Sequence, residues 1–334
     1  MMAPVPTRAS DDRTTPRGPP WGMTFRVIPV PGFGAEDVAV ALAGPDEGMV
    51  FTGTEDGAIH RIAHDGRRVD TVAHTGGRPL GIEYLPEGRL LICDARRGLL
   101  LIDPETGGVE AVMDAVDDRP MVFCNNAAVA ADGTAYVSDS STVHGIDHWK
   151  AEILELTRTG RLLRRGPGGE VEVLLGGLAF ANGVALAADE SFVAVAQTAT
   201  RVVSRSWLTG ARAGTDDVLV ADLPGYPDNM ARGSDGLIWV TIASPLDGLV
   251  EGLQRGPLWL RRAATRIPDR LQPAPKRTIR VQAYDNDGRL IHDVRVDDPG
   301  ATSQFHMATG VREHDGRVWF GSLHEPAVAV LDLD

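Results

Sequence analysis

Four oxygen-bearing side chains stand at matching places in a repeated pattern, and they carry the chemistry this sequence offers. Asn125 lies seven residues before Asp132, Asn182 seven before Asp189, and Asp228 seven before Asp235. In each case a short apolar-alternating run leads to a turn at the second residue. Glu36 precedes a similar run whose turn is longer. Two carboxylates and two amides are hard oxygen donors, with no His or Cys among them. Such a set suits Ca²⁺ better than Zn²⁺ or Cu²⁺. Two negative charges balance a dication and leave positions for water or a substrate. One divalent cation, Ca²⁺, is therefore expected on Glu36, Asn125, Asn182 and Asp228. Asn-Gly and Asp-Asn are also common turn dipeptides, and polar residues in a channel can simply bond each other and water. The shared register is what favours a metal site.

Asp228 is the first choice for activating water or attacking directly, with His306 as a second base. Asn229 is a candidate contact to metal or substrate, or a cross-strand hydrogen bond. His148 and Trp149 are candidates for a pocket mouth, or else ordinary loop residues. No GxSxG elbow, P-loop, GxGxxG or HExxH occurs, so serine-hydrolase, nucleotide and zinc-protease chemistries are unsupported.

Positioning four such groups around one point requires a repeating scaffold, and the chain contains one. Six stretches share one outline, with clear copies beginning at Asn125, Asn182 and Asp228 and weaker ones at Glu36, Gly81 and Thr309. Each alternates apolar and polar residues about an Asp-Gly, Glu-Gly or similar turn, the hairpin signature. The spacing of 46 residues from Asn182 to Asp228 matches one four-stranded propeller blade of about 40–50 residues. The reading is an all-β, six-bladed β-propeller with a central metal site, formed by residues 23–334 as one domain. Residues 24–30 are expected to pair with 327–334 and close the ring, leaving no free edge. Two insertions, 142–156 and 244–271, interrupt the repeat. The second has helical spacing at Leu246, Leu249, Leu253, Leu258 and Leu260, and a partly helical cap over one face is expected. Residues 1–22 read as a disordered tail, and Met23 is an alternative start.

The acidic balance, 46 against 33 basic residues with net charge −13, excludes a basic nucleic-acid-binding face. No run approaches the roughly 18 apolar residues of a membrane helix, so no membrane partner is expected. Nothing resembles a signal peptide, and the cytoplasm is the default location. Cys93 and Cys124 read as isolated buried thiols.

The chain resembles the strictosidine-synthase-like proteins of the wider gluconolactonase and paraoxonase superfamily. The likeness is strongest over 180–229, where FANGV and GYPDN stand. That resemblance implies the six-bladed propeller, a central Ca²⁺ and ligands at the four positions nominated above. Most such relatives look like lactone or ester hydrolases. The alkaloid-condensing member uses a glutamate on its sixth inner strand, and no carboxylate stands at 307–310 here. The expectation is a Ca²⁺-dependent hydrolase of an apolar lactone or ester, acting as monomer or homodimer. A cyclase, isomerase or lyase at the same site, and a non-catalytic binding propeller, stay open.

Overall fold

The computed structural model describes residues 24–268 and 276–333. The expected tail, Met23 and residues 269–271 of the second insertion lie outside them.

Six four-stranded antiparallel sheets form the blades. Their inner strands are Val38–Val40, Pro79–Tyr84, Cys124–Val129, Ala181–Leu186, Gly225–Arg232 and Ala308–His314. Each later strand of a blade pairs with the one before it, as alternating runs joined by tight turns dictate. The sixth blade takes its outermost strand from the other end of the chain. Phe25–Pro29 pairs with Ala327–Asp332, from Phe25 opposite Leu331 to Pro29 opposite Ala327. The expected ring closure is therefore present.

The core is divided among the six blade interfaces. Phe51 and Ile59 of blade one meet Ile82 and Leu90 of blade two, and Phe192 of blade four meets Met230 and Val240 of blade five. Trp239 of blade five meets Phe320 of blade six, and Trp319 of blade six meets Val38 of blade one. Apolar area is thus removed from water on both faces of every sheet. Cys93 and Cys124 are free and buried together between blades two and three. They are neighbours rather than isolated thiols, and burial first, then Cys93, pushes the Cys124 thiol up.

Both insertions are partly helical. The first carries α1 (Trp149–Glu155), and the second carries α2 (Gly248–Arg255) and α3 (Leu258–Ala264). Gly256-Pro257 breaks the second insertion into two helices because proline cannot donate the required hydrogen bond. α2 and α3 dock on α1: Gln254 Nε2 donates to Ile153 O at 2.8 Å, and Arg261 Nη1 donates to Glu155 O at 3.2 Å. α1 in turn lays Ile153 and Trp149 on Leu80, Phe123 and Phe180. Those three residues stand at or just before the starts of the inner strands, so the cap covers that end of the axis. A fourth helix, α4 (Pro299–Gln304), leads into blade six.

Candidate metal and substrate site

Five of the six inner strands break their ladder at the same place. The register shifts between Pro79 and Ile82, Cys124 and Ala127, Ala181 and Val184, Pro227 and Met230, and Ala308 and Val311. In blade one the ladder begins only at Val38. A bulge leaves residues unpaired and re-aims their side chains. Six blades therefore present two residues each: Glu36-Asp37, Leu80-Gly81, Asn125-Asn126, Asn182-Gly183, Asp228-Asn229 and Thr309-Gly310. Phe180 and Met307, directly before two of these strands, take left-handed φ of 62° and 51°. That backbone is strained for large side chains and is held by the surrounding packing.

The first member of each pair forms one ring, and it contains all four expected ligands: Glu36, Asn125, Asn182 and Asp228. Hydroxyl groups stitch this ring together and orient its amides. Asn125 Nδ2 donates to Ser140 Oγ at 2.9 Å, and Ser140 Oγ donates to Ala181 O of the next blade at 2.7 Å. Asn182 Nδ2 donates to Thr198 Oγ1 at 3.1 Å, and Thr198 Oγ1 donates to Pro227 O at 2.8 Å. Thr241 Oγ1 donates to Thr309 O, and Thr309 Oγ1 donates to Glu36 O, both at 2.7 Å. With their N–H groups so engaged, the amide oxygens Asn125 Oδ1 and Asn182 Oδ1 are buried without a partner, as is Asn229 Oδ1. Buried oxygens are rarely left unbonded, because desolvation costs about 1–3 kcal/mol each. A cation held at this ring would supply the missing partner.

The carboxylates give the same indication. Burial, then the neighbouring charges of Asp228 and Asp37, hold Glu36 well above the usual carboxylate range. Burial pushes Asp228 up to about 7, with the Asn182 amide and the Asn229 backbone pulling down. Asp37 is also pushed up to about 7 by burial, against the lowering effect of Arg312. Clustered acids whose charged forms are disfavoured need positive charge to ionise together. Among the described residues no three His, Cys, Asp or Glu side chains group to hold a metal. A site here therefore depends on the amides, and hard oxygen donors of this kind fit Ca²⁺.

The remaining expected residues separate. Asn229 is fully buried: its Nδ2 reaches both Glu36 oxygens at 3.2 Å, while its Oδ1 is left without a partner. Trp149 joins the apolar cluster with Leu80, Phe123 and Phe180 beside the ring. His148 is exposed. His306 is buried, with Nδ1 engaged by Glu325 Oε1 and Nε2 lying 3.5 Å from Arg277 Nη1. Glu325 thus fixes the orientation of the His306 ring through Nδ1. The sequence reading missed the second members Asp37 and Asn126. Asn126 Nδ2 donates to Asp37 Oδ2 at 3.1 Å, and its Oδ1 accepts from Val184 N at 2.9 Å. The twin polar residues Glu36-Asp37 and Asn125-Asn126 were the available signal. Further along the axis, Glu83 and Arg312 pair at 2.7 Å. A cavity of about 920 Å³ lies beyond them, lined by Ala39, Ala128, Ala185 and Ala231 and sharing no residue with the first ring.

The family model of the SMP-30/gluconolactonase/LRE-like region matches residues 43–250. The chain belongs to the SMP-30/gluconolactonase family. Within the relatives of this gluconolactonase-family chain, strictosidine synthase-like protein 10 of Arabidopsis thaliana is 34% identical over 78% of this chain and 71% of its own length. The adipocyte plasma membrane-associated protein of Danio rerio is 32% identical over 87% of this chain and 76% of its own. Among solved structures, a gluconolactonase from Xanthomonas campestris superposes with a TM-score of 0.68 at 14% identity, covering 94% of this chain and 91% of that one. A calcium-binding regucalcin from Agrobacterium tumefaciens superposes with a TM-score of 0.64 at 15% identity, covering 92% and 93%. At such identities these two structures establish the shared propeller fold.

Proposed function

We propose that this chain is a Ca²⁺-dependent hydrolase of a lactone or activated ester. The observation that carries this reading is the ring of unpartnered amide oxygens beside two buried-site carboxylates. Glu36, Asn125, Asn182 and Asp228 are the residues that would hold the cation. When bound, such a cation supplies Lewis-acid polarisation of a carbonyl oxygen. Asp228 is the one member of the four that is partly rather than fully buried. It is therefore the group assigned to take a proton from attacking water. Asn229 and Thr309 hold Glu36 in place through its side chain and its carbonyl, respectively. Trp149, Phe123, Phe180 and Leu80 form an apolar wall beside the ring, which suits an apolar acyl group. The lactonase named among the structural neighbours and the calcium-binding neighbour support the substrate class and the ion.

A condensing role of the strictosidine-synthase kind has less support. The ring position on the sixth inner strand is Thr309, whose hydroxyl is committed to Glu36 O at 2.7 Å. No carboxylate stands there to move protons.

Metal analysis combined with turnover on a panel of lactones and aryl esters tests the proposal. The expected result is about one tightly held Ca²⁺ per chain and hydrolysis of at least one panel member. Asp228→Ala should lower kcat by about 10²–10⁴-fold. Failure to bind calcium on titration overturns the metal reading, and undiminished turnover by Asp228→Ala overturns the assignment of the base.

A further inference from the structure

We propose that the outer surface of the α2–α3 cap docks on an anionic lipid membrane. Neither helix buries a single side chain completely. Instead Leu246, Leu249, Leu258, Trp259 and Leu260 are all exposed, Leu249 at 59% and Trp259 at 71%. Exposed apolar side chains scattered singly are ordinary, but a concentration in one short segment marks an interaction surface.

Charge is sorted on the same segment. Asp247 is turned to the start of α2, where its side chain accepts from the backbone N–H of Leu249 and Val250. Glu251 is turned toward Arg201, 3.5 Å away. The arginines are the outward members of their ion pairs: the Arg255 side chain is 81% exposed and lies 3.9 Å from Glu251, which is 19% exposed, the Arg262 side chain is 59% exposed and lies 3.2 Å from Glu155, which is 10% exposed, and Arg266 is exposed as well. A face that is both apolar and cationic thus stands on a chain of net charge −13. Lining for a substrate pocket accounts for leucines turned inward, not for a tryptophan and arginines turned out. A bilayer containing anionic lipid meets both features. Trp and Leu enter the boundary between headgroups and acyl chains, while arginine reaches phosphate.

The absence of a long apolar run led to the expectation of no membrane partner. Among the described residues no helix is long and apolar enough to cross a membrane, but a helix lying on the surface needs neither length nor uniform apolarity. Because the cap covers the ring end of the axis, docking would place the site's mouth beside the lipid. Membrane docking of this face is independent of the reaction at the ring.

Co-sedimentation of the full chain with phosphatidylcholine vesicles, with and without phosphatidylglycerol, tests this. Wild type should pellet at least about tenfold more with anionic vesicles, and rising salt should release it. Leu249→Asp/Trp259→Asp should remain in the supernatant with its melting temperature unchanged. Arg255→Ser/Arg262→Ser should lose about fivefold in partitioning for each charge removed. Wild type left in the supernatant with both vesicle types overturns the proposal, as does pelleting of the Asp double variant at the wild-type level. Light scattering that shows a dimer disrupted by the same double variant, without vesicle uptake, assigns the face to a second copy and also overturns it.

Discussion

Asp228 and Asp37 sit at about 7 through burial, far from the ordinary aspartate value of 3.8. A carboxylate raised in the folded state contributes stability that is complete below its ordinary value and lost as pH climbs through the raised one. Chelator-treated protein should therefore melt at progressively lower temperature between about pH 4 and pH 7. Excess Ca²⁺ should flatten that fall, since the ion compensates the charges that rising pH creates. Thermal melts across pH with and without chelator provide the check, and two parallel curves would count against a cation at the ring. At this scale three ring residues were legible because their spacing repeats, and Glu36 because it opens a similar run. What Asn229 and His306 engage was not legible, since a partner distant in the chain leaves no mark in a residue's own segment. Glu36, for example, lies 193 positions from Asn229, and His306 is held by Glu325 from beyond the next strand.

Single elements reach the ring through bulges, and glycine is what lets neighbouring bulges approach. A Cβ on Gly183 would stand 2.3 Å from Met230 N and 2.6 Å from Asp228 O, backbone atoms of the next blade. A Cβ on Gly310 would meet the Asp37 backbone at 2.6 Å. Neither neighbour can swing aside as a flexible side chain could. Gly183→Ala should cost about 1–3 kcal/mol and displace Asp228 from the ring. Gly176, with nothing within 4 Å of its would-be Cβ, is the control, and its alanine variant should change stability by less than about 0.5 kcal/mol. Urea midpoints decide this, and equal midpoints for the two variants would mean that close blade approach is not needed. The helical insertions follow a different lesson. Leucine spacing at 246–260 correctly indicated helix, but not which way the apolar faces turn, because that depends on α1 arriving from a separate insertion.

The whole molecule is a ring shut by one short strand. Phe25–Pro29 covers the edge of Ala327–Asp332, whose residues Val328 and Val330 are fully buried. A chain beginning at Val30 would expose that edge and the apolar interface between blades six and one. It should melt at lower temperature than wild type and show concentration-dependent growth in light scattering. A monomeric product with wild-type melting would show that closure is not what stabilises the ring. Closure also keeps Glu36 and Thr309 adjacent, so calcium affinity should fall along with stability.

The sequence by itself determined the blades, the closing strand, and the four ring residues, three of them at one repeated register and Glu36 at the corresponding place before a longer turn. These depend on alternation, turn chemistry and spacing, all of which are local or periodic and so survive in a linear string. The tertiary structure decided what those residues meet. It set the amide orientations through hydroxyls donated between blades and raised the carboxylates by burying them together. It also engaged His306 with Glu325 and Arg277 and turned the leucines and Trp259 of the cap outward. Each of these outcomes arises where separate blades or insertions come together, and contacts of that kind are created only when the ring closes.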